Sequence, residues 1–141
     1  NLTGSFLCAL KVLPGMVSRG RGRIINVASI AAVRGLPYLA AYCASKHGLI
    51  GFTRALATEV RNSGVNVHAL CPGYVDTVMT KEACEFIAER TERSEAEARA
   101  YLESQNAGGR LLTPEEVAEA VLWISTQEGE VENGGFHVLE G

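Results

Sequence analysis

Tyr42 and Lys46 stand four residues apart, at the spacing that brings two side chains together on a helix. Tyr42, Lys46, Leu49, Leu56 and Val60 fall on one helical stripe, and its apolar members mark that stripe as the buried one. A lysine on a core-facing stripe is costly unless something accepts its protons or the charge serves a purpose. A cation beside a phenol favours phenolate and draws the phenol toward acid and base work near neutral pH. Ser29 sits at the carboxyl end of the preceding predicted strand, where ligands bind in open α/β sheets, and its hydroxyl could hold an oxygen that gains charge. The set points to proton transfer to or from an alcohol. Taken singly, each residue also has a plainer reading: a core-edge tyrosine with a snorkelling lysine, and a serine capping a strand end.

These residues need elements to carry them. Leu2 to about Val17 is apolar almost all round, which predicts a helix buried on more than one side, with Pro14 kinking or shortening its last turn. Ile24 to Ala28 is a short apolar run between turn residues, hence a strand. A loop with Gly35 and Pro37 leads into a long helix from about Ala40 to Arg61, stopped by Asn62-Ser63-Gly64. The next strand is Val65 to Leu70, broken by Pro72-Gly73. Thr80 to Gln105 reads as two polar helices, the second opened by the capping box Ser94-Glu95-Ala96-Glu97. Thr113-Pro114-Glu115-Glu116 starts a further helix to about Thr126, with Val117, Val121 and Ile124 on its apolar face, and Phe136 to Leu139 is the last strand. Apolar strands alternating with helices predict an α/β fold, a parallel sheet of three strands covered on both faces, in a single unit over residues 1–141 with no repeat and no linker.

Composition excludes several classes. The chain is 47% apolar and 21% charged, with thirteen basic and sixteen acidic residues, so neither a disordered tail nor a phosphate-tracking surface is expected, and nucleic acid is not a partner. No apolar run is long enough to span a membrane and no signal peptide is visible. Cys8, Cys43, Cys71 and Cys84 lack zinc spacing and read as small core residues in reducing cytosol. His47, His68 and His137 are isolated and read as structural, with no metal site, and Trp123 reads as core. The Asn1-Leu2-Thr3 sequon is set aside without a signal peptide. The chain starts inside a helical pattern without Met and stops directly after a strand, so it is expected to be a piece of a longer protein.

Asn26-Val27-Ala28-Ser29, the Y-x-x-x-K match at Tyr42-Cys43-Ala44-Ser45-Lys46, Pro72-Gly73 and the leading Asn1-Leu2-Thr3-Gly4 together resemble the short-chain dehydrogenase/reductase family, of classical type. The resemblance implies a partial Rossmann-like doubly wound sheet without its first βαβ units, and an oxidoreductase using NAD or NADP to interconvert a ketone and a secondary alcohol. It implies Tyr42 as general acid/base that also contacts the cofactor, and Ser29 as hydrogen-bond partner of the substrate oxygen. Lys46 would tune Tyr42 and hold the nicotinamide ribose, and Asn1 would keep a relay water in place. Pro72, Gly73, Val75 and Thr77 match the segment lying against the nicotinamide and its phosphates. Residues from about 80 to 110 match the substrate lid, and that region looks most like members acting on 3-hydroxyacyl or 3-hydroxy-acid substrates. The resemblance also implies a homodimer or homotetramer, to which the small residues Ala41, Ala44, Gly48, Gly51 and Ala55 on the opposite face of the long helix would lend a flat contact.

The Gly-rich turn that follows a first strand in this family is missing, and Gly20 to Gly22 precedes a strand, so it is no substitute. The chain is therefore expected to carry the catalytic half without the adenosine half, and not to turn over alone. Two alternatives stay open: an epimerase or dehydratase using the same Tyr and Lys, and an inactive fragment serving as a binding or oligomerisation module.

Overall fold

The computed structural model describes residues 1–127 and 131–141. The elements run α1 (Thr3–Ser18), β1 (Gly22–Val27), α2 (Ala40–Glu59), β2 (Val65–Pro72), α3 (Val78–Arg90), α4 (Glu95–Ser104), α5 (Pro114–Thr126) and β3 (Phe136–Leu139). A short 3-10 turn at Ile30–Ala32, not foreseen from sequence, follows β1. The strands form one parallel sheet in the order β1-β2-β3, with Ile25 opposite His68 and Leu70 opposite His137. This is the expected α/β arrangement. Helix starts follow their caps: Thr77, Ser94 and Thr113 each accept a backbone N–H with their side chains, and Glu97 and Glu116 complete two capping boxes.

The central strand β2 is covered on both faces because its alternate side chains have different partners. Val65 and Val67 pack with Ile24, Leu56 and Val60 against α1 and α2, and Ala69 and Cys71 continue that layer with Leu49 and Ile50. His68 and Leu70 point to the other face, under the fully buried Ile124 of α5. β1 is buried at alternate residues, Ile24 and Asn26, and β3 alternates between exposed and half-buried, so full coverage holds for β2 alone. Inside the first layer the Asn26 amide donates to Thr53 Oγ1 at 2.9 Å, and Thr53 passes its own proton to Leu49 O at 2.8 Å. Both side chains are buried, and this pair locks β1 against α2 in register.

Three burial expectations are corrected. α1 runs unshortened through Pro14, and only Ala9 is buried, because a helix beside a sheet touches it along one stripe: here Ala9, Leu13 and Met16, with Phe6 edge-on to Phe52 at 5.5 Å. Leu7, Leu10, Val12 and Val17 are exposed. Trp123 is 51% exposed, because it flanks the inward stripe of α5 that Ile124 occupies, and its ring meets His137 of β3 edge-on at 5.8 Å. Cys43, Cys71 and Cys84 are buried as expected, but Cys8 lies on the outer side of α1 and is exposed. Among the described residues no helix is long and apolar enough to cross a membrane.

The face under α5 is unusually polar. His68 of β2, 1% exposed, faces His137 of β3 with ring centroids 5.9 Å apart, and Arg23 of β1 donates to Ile124 O and, at 2.8 Å, to Gln127 O at the end of α5. Among the described residues His68 Nδ1 and His137 Nε2 are buried without a hydrogen-bond partner. Burial, then Arg23 and His137, hold His68 down to about 4, and burial lowers His137 as well. The unfolded chain takes up these protons below its ordinary histidine pKa of 6.5 while the folded chain refuses them, so stability rises with pH across this window. The contribution is whole above pH 6.5 and is lost as the pH falls toward 4. We expect acidification across it to remove about 2 kcal/mol, and His68→Leu to flatten that dependence. Urea midpoints at neutral and mildly acidic pH check this; an equal acid loss in the variant would count against it.

Candidate active site

The carboxyl ends of β1 and β2 open into a cavity of 570 Å³. β1 delivers Ser29, held extended at φ −178°, with Oγ accepting the Ala31 N–H at 3.1 Å as the cap of the 3-10 turn. The capping role leaves the Ser29 hydroxyl proton available to the cavity. α2 delivers Tyr42 and Lys46 from adjacent turns of its inner stripe, and the ammonium lies 5.7 Å from the centre of the Tyr42 ring. Lys46 Nζ donates to Val27 O, the last carbonyl of β1, at 3.1 Å, which orients the side chain along the cavity floor. Burial pulls the Lys46 pKa below its ordinary value, with Cys71 acting the other way.

β2 delivers Pro72 and Gly73, and the chain continues through Val75 to Thr77, the N-cap of α3; all four residues line the same cavity. The Gly73 N–H donates to Leu139 O at 2.8 Å, so β3 fixes the end of β2. Seven of the eight residues singled out from sequence therefore share one space. Asn1 stands apart: it is exposed, is not in the cavity wall, and accepts the Ser5 hydroxyl on its main-chain oxygen at 3.3 Å.

Sequence reasoning gave two residues here no role of their own. Tyr74 lines the cavity between Gly73 and Val75, and its place inside a segment already singled out was the only signal. Asn106, 3% exposed, reaches across from the loop after α4: its Oδ1 accepts the Tyr74 N–H at 2.8 Å, and its Nδ2 donates to Tyr74 O at 2.8 Å and to Arg110 O at 2.7 Å. A Cβ on Gly73 would overlap the Asn106 amide, so this position needs glycine for close approach. No local pattern marks Asn106, because its partners lie on a different element. Aliphatic side chains of Leu36, Leu39, Met79 and Val117 form much of the remaining wall.

α3 and α4 pack on each other over Cys84, Ala98, Leu102 and Leu111, with Tyr74 and Ile87 against that cluster. Arg99 of α4 pairs with Asp76 through two hydrogen bonds, at 2.8 and 3.2 Å, so α4 is tied to the segment leaving β2. The acidic residues from Glu82 to Glu103 are mostly exposed, as the charge pattern predicts. Among the described residues no group of three or more His, Cys, Asp and Glu is arranged to hold a metal.

Residues 1–88 match the family model for short chain dehydrogenases. The chain is similar to a putative ketoacyl reductase of Streptomyces coelicolor, 42% identical over 126 residues, which are 88% of this chain and 48% of that protein. It is also similar to the 3-oxoacyl-acyl-carrier-protein reductase FabG of Vibrio cholerae, 37% identical over 146 residues, covering 99% of this chain and 55% of the relative. A crystal structure of an actinorhodin polyketide ketoreductase variant with NADPH superposes with a TM-score of 0.92 at 38% identity, covering 100% of this chain and 55% of that one. The chain thus spans about half the length of the curated relatives it matches.

Proposed function

The chain belongs to the short chain dehydrogenase family, and from that premise we propose that it forms the catalytic part of an NAD- or NADP-dependent oxidoreductase that interconverts a ketone and a secondary alcohol. The observation that carries this reading is the meeting of Ser29, Tyr42 and Lys46 in one largely aliphatic cavity at the carboxyl ends of parallel strands. The donor set suits a nicotinamide nucleotide: an ammonium able to reach ribose hydroxyls, a wall of Pro72, Gly73 and Val75, and Thr77 at the N-terminus of the 13-residue α3, where the helix dipole favours phosphate.

When bound, the nicotinamide supplies the hydride for reduction or receives it in oxidation. Ser29 Oγ donates to the substrate carbonyl oxygen and steadies the negative charge that grows there. Tyr42 gives its phenolic proton to that same oxygen as the C–O bond becomes an alcohol, and takes it back in the reverse direction. Lys46 stabilises the phenolate left on Tyr42, while its bond to Val27 O holds it in place. Asn1 takes, by family resemblance, the role of ordering a relay water. α3 and α4 act as the lid that sets specificity, with 3-oxoacyl or 3-hydroxy-acid substrates favoured.

Several features bear on partners. Ala41, Ala44, Gly51 and Ala55 leave the outer face of α2 small and exposed, and α1 exposes Phe6, Leu7 and Leu10. That supports a homodimer or homotetramer through these helices. Four free cysteines suit a reducing, cytoplasmic setting.

The test is to express the protein from its complete coding sequence and follow NADH and NADPH oxidation with 3-oxoacyl thioesters and small ketones. We expect turnover with one of the two cofactors and at least one carbonyl compound. Cofactor binding without reduction across the panel would refute the substrate assignment, and turnover of nucleotide sugars alone would favour an epimerase.

A further inference from the structure

The turn that carries Ser29 is tied down by a residue far away in the chain. From Ser29 to Arg34 it is closed on itself: the Ala31 N–H donates to Ser29 Oγ, the Ala32 N–H to Ser29 O, and the Val33 and Arg34 N–H groups to Ile30 O. Ser29 and Arg34 therefore move as one piece. Arg34 Nη2 donates to Glu140 Oε2 at 2.8 Å and stands 2.8 Å from Oε1 as well. Glu140 directly follows β3, so this pair spans the end of β2, the strand between β1 and β3. The other ion pairs among the described residues lie between Asp76 and Glu116, in the α3–α5 region.

Glu140 is the fixed end of the pair. Its side chain is 12% exposed against 49% for Arg34, and a carboxylate so covered is costly without a cation beside it. The residue before it, Leu139, accepts the Gly73 N–H at 2.8 Å. The residue after it, Gly141, lies so close to Gly108 that a Cβ on Gly108 would overlap the Gly141 carbonyl. The Ser29 turn itself is seated by aliphatic side chains, those of Ile30, Ala31 and Ala32. Apolar cover holds such a turn down without fixing its direction, whereas a charged hydrogen bond is directional. Two parts of the cavity wall are thereby referenced to one strand end, Gly73 through Leu139 and Ser29 through Glu140.

We propose that Glu140 is a positioning residue: through Arg34 it orients the Ser29 turn against the Pro72-Gly73 end of β2, so that the Ser29 hydroxyl meets the substrate oxygen where Tyr42 delivers its proton. This rests on the oxidoreductase reading of Ser29, Tyr42 and Lys46. Neither Arg34 nor Glu140 lines the cavity, so both act through Ser29.

In the protein from its complete coding sequence we expect Glu140→Gln and Arg34→Gln each to lower kcat for carbonyl reduction about tenfold, to change KM less than about twofold, and to cost no more when combined. Arg34 is half-exposed, so its variant reads the same loss should Glu140→Gln not fold. Exchanging the charges, Arg34→Glu with Glu140→Arg, should recover at least about half of the wild-type kcat. On a Ser29→Ala background, where the hydroxyl is gone, Glu140→Gln should cost less than about twofold further. Equal losses with and without Ser29 would mark a merely structural role and overturn the proposal, as would wild-type kcat in Arg34→Gln. Amide exchange followed by NMR needs no turnover: the N–H groups of Ala31, Ala32 and Arg34 should exchange at least about tenfold faster in Arg34→Gln or Glu140→Gln, with those of α4 unchanged. Faster exchange upholds the tether even where the wild type reduces no carbonyl compound and the oxidoreductase reading falls; unchanged exchange overturns it.

Discussion

Tyr42→Phe in the complete protein is expected to cut kcat for carbonyl reduction by about a thousandfold while leaving folding unchanged. The substitution removes one oxygen and keeps the ring, and no hydrogen bond among the described residues is lost with it. What disappears is the cavity's proton donor that stands on the same helix face as the Lys46 ammonium. Ser29 still polarises the substrate oxygen, so substrate binding should weaken only modestly, and the loss should sit in kcat. Stopped-flow absorbance of the reduced nicotinamide under single-turnover conditions separates the chemical step from release. Activity within tenfold of wild type would remove Tyr42 from the acid–base role.

The second large effect is on stability. Asn106→Leu keeps the branched shape and heavy-atom count and removes three hydrogen bonds, leaving the Tyr74 N–H and the Arg110 carbonyl facing an apolar side chain. Each buried polar group so orphaned costs about 1–3 kcal/mol, and together the loss should reach about 4 kcal/mol. For a domain of this size that is a fall of about 10 °C in melting temperature. The damage should be local first, because Asn106 joins the loop after α4 to the segment leaving β2. Proteolysis within α3 and α4 should therefore accelerate before global unfolding. A melting temperature within about 2 °C of wild type would show that relaxation repairs the clamp.

The two predictions differ in how visible their residues are in the chain. Tyr42 and Lys46 could be paired from spacing alone, since helical periodicity converts a separation of four into contact. Ser29 could be placed because a β-branched apolar run ends just before it. The helix starts at Ser94 and Thr113 were legible for the same kind of reason, their bonds being made within three residues. Asn106 and Tyr74 are thirty-two residues apart, and neither composition nor periodicity carries information about a contact at that range. The His68–His137 pair escaped for the same cause: each histidine looks solitary until two strands become neighbours.

Burial shows the division most plainly. Hydrophobicity measures what a side chain gains from cover, not whether cover is there, which is why α1 and Trp123 read as core and stand largely exposed. By itself, then, the chain determined its local elements, their order, the parallel α/β class and a face on which a phenol, an ammonium and a strand-end hydroxyl could cooperate, because each depends on interactions spanning a few residues. Only the tertiary structure decided that these groups share one cavity with Pro72, Gly73, Val75 and Thr77, that Asn1 stands outside it, and that Tyr74, its main chain clamped by Asn106, lines it too. Those outcomes depend on which elements pack together, and packing is settled by long-range complementarity that no local pattern encodes.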